Sequence, residues 1–481
     1  MALSRTGKAR WKNFAAATLL PGCASCGWLG SDSDPWATVR DTRTAFTDGP
    51  GIEVCWSGVR VVAPSQAPGG AMAICISSGR TGASCNTTSA CAPGERCVCG
   101  RCVTKPCRNA TGCGQHEVCQ GGRCTAICAS NADCSPQEEC NTGGCARRCA
   151  ADADCAYGEQ CSGLDRMCIV KLCGATVSCS GTDTCMEQER VADLREPQIL
   201  DEAGRRVAYL ELRETQGATT SCAVYRARVV AERRWEIEPV VPVLASEGDD
   251  KGCIGAPSVV AAERGRVMYA ARGDGSGIVR ATSTDGIAFS RSDGMVRVPT
   301  APWERGWVGS PGAIRFGGKT VLLYAAARGE AIGRVFVDEQ AGDVTKPLER
   351  AWLVPGDLED PMFWRSVRWV GSPFPVERDG TVLVYLGVRG AEGSDAQIAA
   401  GGQYAADVNA SIGLVTTRDF ATWQRFPTGP VFSRRTNLRA YLGEGEPSVV
   451  FDGIGSWLVY VGADALGAAT TGLGLATCEQ K

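Results

Sequence analysis

Cysteine spacing constrains this chain more than any other feature. Between Cys85 and Cys185 a C-x5-C-x5-C triplet occurs five times: Cys85/Cys91/Cys97, Cys107/Cys113/Cys119, Cys128/Cys134/Cys140, Cys149/Cys155/Cys161 and Cys173/Cys179/Cys185. A further cysteine closes four of them, at Cys102, Cys124, Cys145 and Cys168, and the period of 21 to 24 residues marks an internal repeat. Between the cysteines lie Gly, Asn, Asp and charged residues, as in CARRCAADADCAYGEQC, too polar to build a core, so such a unit must be held by crosslinks. Disulfides supply them, since closing a loop of about 15 residues is worth roughly 3 kcal/mol in the chain-entropy account. Zinc is the rival. Its sites favour C-x2-4-C pairs, however, whereas the spacing that repeats inside every unit is C-x5-C, with Cys97/Cys99 and Cys99/Cys102 as closer pairs in the first. Three pairings stay open within each four-cysteine unit, and Cys222, Cys253 and Cys478 are candidate partners for the fifth unit, which lacks its closing cysteine.

Disulfides need an oxidising compartment, and the first residues point to one. MALSRTGKARWKNFAAATLLPGC carries Arg5, Lys8, Arg10 and Lys12, then the apolar run Phe14 to Leu20, which reads as a signal peptide over residues 1–22. Leu20-Pro21-Gly22-Cys23 resembles a bacterial lipobox, which implies lipidation at Cys23; an ordinary cleaved signal peptide is the alternative. With Cys23 lipidated, 26 of the 27 cysteines remain, an even number that permits complete pairing. No later run approaches 18 apolar residues, so the lipid is the expected anchor and the cell-envelope membrane the expected location, with secretion as the alternative. Net charge is −3 and no polybasic run follows residue 12, so nucleic acid is not an expected partner. The repeats, with Asp133-Cys134 and Asp154-Cys155 in equivalent places, resemble the Dickkopf-like cysteine-rich modules of secreted proteins. That resemblance implies a spacer or a protein-contact scaffold, here one that lifts the following domain away from the membrane. In residues 23–80 Cys55 and Cys75 flank a strand-like stretch, VRVVAPS, and the rest of the segment gives no readable structure.

Beyond Met186 a second period replaces the first. REPQIL (195–200), GAPSVV (255–260), GSPGAI (309–314), GSPFPV (371–376) and GEPSVV (445–450) share one shape and lie 60, 54, 62 and 74 residues apart. After each comes a turn and an apolar run with a tyrosine: VAYLEL, RVMYAARG, VLLYAAARG, VLVYLGVRG and WLVYVGAD. Short runs rich in β-branched and aromatic residues between Gly/Asp turns are strands, and strands repeated every 60 or so residues are propeller blades. The expected architecture is therefore all-β: a five-bladed β-propeller over residues 188–481, preceded by an N-terminal array of small disulfide-rich repeats over 81–187.

The pattern (G/D)-x-P-S-V, a tyrosine strand, then S-x-D-G-x-x-(F/W) as in STDGIAF resembles the propellers of arabinanase, levansucrase and invertase-type glycoside hydrolases. In that family the residue before each blade proline faces the central channel and carboxylates of the early blades act as base, orienting group and acid. Here the five slots hold Glu196, Ala256, Ser310, Ser372 and Glu446, so blades two and three lack the family's acids. Glycosidic cleavage needs two carboxyls, which leaves Glu196 and Glu446, on the first and last blades, as the one catalytic pair the slots offer. The alternative is that Glu196 pairs with Arg195 or another arginine and lines a polar channel. His116 is the only histidine and lies in the repeats, so a Ser-His-Asp or His-zinc site in the propeller is excluded on inventory. No cofactor is expected, although a structural calcium held by carboxylates stays open. WERGWVGSP and FWRSVRWVGSP place Trp303, Arg305, Trp364 and Arg365 ahead of two slots, and Glu444 sits beside a third, as candidate ligand-binding residues. Trp307 and Trp369, next to Val-Gly, are expected to pack between blades. The function these features support is binding of a glycan or another extracellular ligand by a degenerate glycosidase relative. An active glycosidase and a scaffold acting through the repeats are the alternatives.

Overall fold

In the computed structural model, residues 47–479 are described apart from short stretches, the longest being 63–72, 360–366, 391–410, 426–443 and 464–469. No described residue is α-helical, and no helix is long and apolar enough to cross a membrane. Five sheets, I to V, follow from the five repeated segments. Their first strands are Asp193–Glu202, Ile254–Ala261, Val308–Phe316, Val367–Arg378 and Glu444–Phe451. Each pairs antiparallel with the tyrosine strand that follows it, so every sheet grows outward as a meander. The five first strands pack against one another in sequence order, and that of sheet V returns to that of sheet I, closing a ring.

Burial follows the same geometry. Instead of one central core there are five apolar clusters, one between each neighbouring pair of sheets. The tyrosines Tyr209, Tyr269, Tyr324, Tyr385 and Tyr460 of the second strands are all buried in these interfaces. A ring packed only at its interfaces leaves its axis free for polar side chains.

The residues after each slot proline stitch the inner strands together. The Ser448 hydroxyl accepts Ile199 N–H (2.8 Å), the Gln198 amide accepts Val259 N–H and donates to Val259 O (2.9 Å), and the Ser258 hydroxyl accepts Ala313 N–H (2.8 Å). These contacts join sheets V to I, I to II and II to III, satisfying amides that have no ladder partner. Between III and IV the stitch gives way to close approach: a Cβ on Gly312 would lie 1.8 Å from Pro373 O, so only glycine fits.

The ring also recruits strands from before residue 188. Thr47–Asp48 forms the outer edge of sheet V, pairing with Thr470–Glu479, and Ile52 N–H donates to Leu473 O at 2.8 Å. Glu53–Trp56 and Val59–Val62 form a hairpin that extends sheet I beyond Arg234–Ile237. Ile52, Val54, Trp56 and Val61 are buried with Leu194, Trp235, Val461 and Leu475, at the junction of the first and last sheets. The strand-like stretch VRVVAPS is thus a strand, at Val59–Val62, in a segment that helps to close the ring.

The repeats connect to the ring from within sheet I. Val59–Val62 and Glu189–Val191 are parallel neighbours in sheet I, with Arg190 opposite Val61. The repeats leave and return at one edge of one sheet; they are an excursion from it, and the chain enters the ring before reaching them. Cys55–Cys99 ties the excursion to sheet I.

Within the repeats the pairing is first to third and second to fourth: Cys85–Cys97 and Cys91–Cys102, Cys107–Cys119 and Cys113–Cys124, Cys128–Cys140 and Cys134–Cys145, Cys149–Cys161 and Cys155–Cys168. The fifth unit keeps Cys173–Cys185, and Cys179 is also bonded. In place of its own closing hairpin, Ala73–Ile76 inserts between Leu172–Cys173 and Thr184–Glu187. Cys222 and Cys253 bond each other within the ring, and so are not partners for that unit. The Asp-Cys signature is a turn device: Asp133 accepts the N–H groups of Ala129 and Ser130, and Asp154 those of Ala150 and Ala151. Successive units then converge on the buried Arg123, which meets Glu138 (2.7 Å), Glu159 (2.9 Å) and Cys145 O (3.0 Å).

Candidate functional site: the carboxyl cluster at the ring axis

Every slot residue has a left-handed backbone: φ is 44° at Glu196, 48° at Ala256, 41° at Ser310, 45° at Ser372 and 53° at Glu446. None is glycine, so each position costs on the order of 1–2 kcal/mol. The cause lies in the next residue. Proline cannot donate to a ladder, and each inner strand skips its register at the X-Pro pair, as between Arg195 and Gln198 or Gly445 and Ser448. The result is a β-bulge in every inner strand, which re-aims the slot side chain out of the alternation of the sheet.

Re-aimed, the slots meet. Glu196 crosses the axis, and its Oε1 accepts from Ser310 Oγ at 2.7 Å and Ser372 Oγ at 3.0 Å, so sheets I, III and IV share one oxygen. Glu446 turns to sheet I, where its Oε2 accepts Glu196 N–H at 2.7 Å and its Oε1 pairs with Arg195 Nη1 at 3.1 Å. Arg195 therefore serves Glu446 and not Glu196. The alanine slot leaves room for a residue the sequence reading missed: Glu211, from the second strand of sheet I, accepts Ala256 N–H at 2.9 Å and pairs with Arg213. Its signal was there in VAYLELRE, where Glu211 and Arg213 share the face of Tyr209 in an otherwise apolar strand.

Electrostatics separate the two slot glutamates. Burial first, then the neighbouring Glu446 charge, pushes Glu196 up to about 8, against the opposing hydrogen bonds from Ser310 and Ser372. The residue as a whole is half-buried. At neutral pH Glu196 is thus a carboxylic acid. Two serine donors occupy Oε1, which places the proton on Oε2, an atom with no partner among the described residues.

Other expected site residues lie elsewhere. Trp303 donates Nε1–H to Leu348 O at 3.0 Å and stacks on Tyr324 at 6.3 Å, packed against the interface of sheets II and III. Arg305 is exposed and pairs with Glu330. Glu444 begins the inner strand of sheet V. Cys23, Trp364 and Arg365 fall outside the described residues. Trp369 joins the site's edge: its Nε1–H donates to Arg328 O at 3.0 Å, and a Cβ on Gly371 would come within 2.4 Å of its ring. Its ring carries the Arg389 guanidinium at 4.5 Å. Trp307 packs in the same way one sheet earlier, against Gly309 and Gly275.

No protein-family model matches the chain, and no curated protein matches it. Solved structures do. A glycoside hydrolase is similar at 11% identity and TM-score 0.45, over 60% of this chain and 87% of its own. A thermostable family-43 glycoside hydrolase is similar at 15% and 0.41, over 60% and 88%. The catalytic domain of the GH62 alpha-L-arabinofuranosidase of Coprinopsis cinerea is similar at 10% and 0.43, over 59% and 90%. At this distance the likeness carries no argument about chemistry, and the architecture rests on the strand pairing described above.

Proposed function

We propose that this is an exported, lipid-anchored surface protein whose ring is a five-bladed β-propeller that binds a glycan or similar polyol at its channel without hydrolysing it. The closed succession of inner strands supports the blade count, and the leader with Leu-Pro-Gly-Cys23 supports export and anchoring. One observation carries the absence of turnover. Glu446, the only slot carboxylate available to complement Glu196, has one oxygen on Arg195 and the other on the Glu196 amide. A base or nucleophile needs an oxygen directed at water or at the sugar. What the channel does offer is an O–H on Glu196 and guanidinium groups as donors, and the oxygens of Ser310 and Ser372, whose own protons go to Glu196, as acceptors for sugar hydroxyls.

The protonated Glu196 favours a second reading, an active glycosidase with Glu196 as acid and Glu446 as its partner. Reducing-end release from a polysaccharide panel, with calorimetric binding to the same panel, separates the two readings. The full mature chain must be used, because residues 47–62 supply strands to the ring. Binding without release is the expected result; release that disappears in Glu446→Gln establishes the glycosidase. Anchoring is tested by incorporation of labelled palmitate, expected in the natural chain and absent in Cys23→Ser.

A further inference from the structure

We infer that the ligand bound at the channel is anionic and that its carboxylate is read by Arg389, so that among glycans the site selects chains containing uronic acid. The inference rests on the ligand-binding reading above and adds the class of ligand.

Three guanidinium groups gather about the axis. Arg213 is committed to Glu211, and Arg195 to Glu446. Arg389 has no hydrogen bond or ion pair with any described residue, although Glu446 and Glu196 lie within electrostatic reach of it. Its position is nevertheless fixed. The guanidinium lies over Trp369, directly across the ladder from it, and that indole is anchored by Arg328 O and seated against Gly371. An arginine stacked in this way keeps its donor fork free for a planar anion. A second donor points the same way, since Arg195 Nε is buried without a partner.

Charge balance supports the same class. The groups facing Glu196 are Ser310, Ser372 and Ala256 from sheets II to IV, Glu446 from sheet V, Arg195, Glu211 and Arg213 from sheet I, and Arg389 from sheet IV. With Glu196 holding its proton, three guanidiniums face two carboxylates, one positive charge in excess. A ligand carboxylate restores neutrality where the protein's third carboxyl does not.

The test is calorimetric titration of the full mature chain with trigalacturonic acid and with its methyl ester, at pH 6 and pH 9. Loss of a charge-assisted pair lowers affinity by about tenfold to a hundredfold. The acid is expected to bind more tightly than the ester by that factor. Arg389→Gln should abolish the difference, Arg389→Lys should restore part of it, and near-UV circular dichroism should show both variants folded. Acid binding should also weaken from pH 6 to pH 9 in the natural chain but not in Glu196→Gln. Equal binding of acid and ester, or a preference that survives Arg389→Gln, overturns the inference while leaving glycan binding intact. If neither trisaccharide binds while neutral polysaccharides do, this inference fails alone; if nothing in either set binds, the binding function fails with it.

Discussion

Replacing Glu196 by Gln should make the protein more stable as pH rises, because the natural residue ionises late in the folded chain. Its folded value near 8 stands above the 4.5 of an unperturbed glutamate. Below 4.5 both states hold the proton and the group contributes nothing to pH dependence. Between 4.5 and 8 the unfolded chain releases a proton that the folded chain keeps, so stability falls with rising pH by about 1.4 kcal/mol per unit. Carried across the whole interval this is about 5 kcal/mol, but solvent at Oε2 screens the carboxyl, and about 2 kcal/mol is the expected effect. Gln keeps a carbonyl oxygen for Ser310 and Ser372 and removes the titration. At about 2 °C per kcal/mol, the natural chain should lose about 4 °C more than Glu196→Gln between pH 5 and pH 8. Differential scanning calorimetry on both proteins in matched buffers reads this directly, since every other titrating group is common to the pair. Parallel melting temperatures across the range would refute the reasoning, because the axis would then hold an ordinary ionised glutamate.

Other perturbations probe the ring and the excursion separately. Ser448→Ala leaves the buried Ile199 N–H without an acceptor at the closure of the ring, and chemical denaturation should show a loss of about 1–3 kcal/mol. Arg123→Ala strands Glu138 and Glu159 in the heart of the repeats; the excursion should lose about 3–5 kcal/mol and become sensitive to protease, while thermal melting of the ring is unchanged. Replacing Cys55 and Cys99 together by Ser opens a loop of 44 residues and should lower stability by about 4 kcal/mol in the chain-entropy account, measured as the extrapolated unfolding free energy in chemical denaturation, with a steeper slope because the unfolded chain is less constrained.

Local periodicity was legible in the sequence, and topology was not. Strand type, the sheet repeat and the disulfide-held units all follow from spacing, because each is a property of contiguous residues. Of the hairpin Glu53–Trp56/Val59–Val62, the strand character of VRVVAPS was legible but its place in the ring was not, because its partners Arg234–Ile237 and Glu189–Val191 lie more than a hundred residues away. The same limit hid the true position of the repeats. Within the site, the slots could be found from their prolines, but not their partners. Arg195 follows Glu446 and not its neighbour Glu196, because the bulge turns adjacent side chains to different sheets. Arg389 lay in plain view in the recurring Arg-Gly that ends AARG, AAARG and GVRG, yet only the ring shows that it lies over Trp369 with no hydrogen bond or ion pair to another described residue.

The slots also show how much of the axis is scaffold and how much is an addition to it. The backbone is the same at all five: left-handed φ, bulge, proline. It is built around Glu, Ala and Ser alike, so the conformation does not require an acid. Ala256 shows that a slot can be filled by nothing more than a methyl group, its amide then taken by a residue from another strand. A buried glutamate beside a half-buried one is therefore a cost the scaffold does not need, one that raises the Glu196 carboxyl to about 8. Glu446 offsets part of that cost by closing sheet V onto sheet I through Arg195 and the Glu196 amide. Glu196 has no such return, because the hydroxyls of Ser310 and Ser372 satisfy only one of its oxygens. The second oxygen of that carboxyl and the fork of Arg389, neither of them bonded to a described residue, are the two groups on which the proposed ligand site rests.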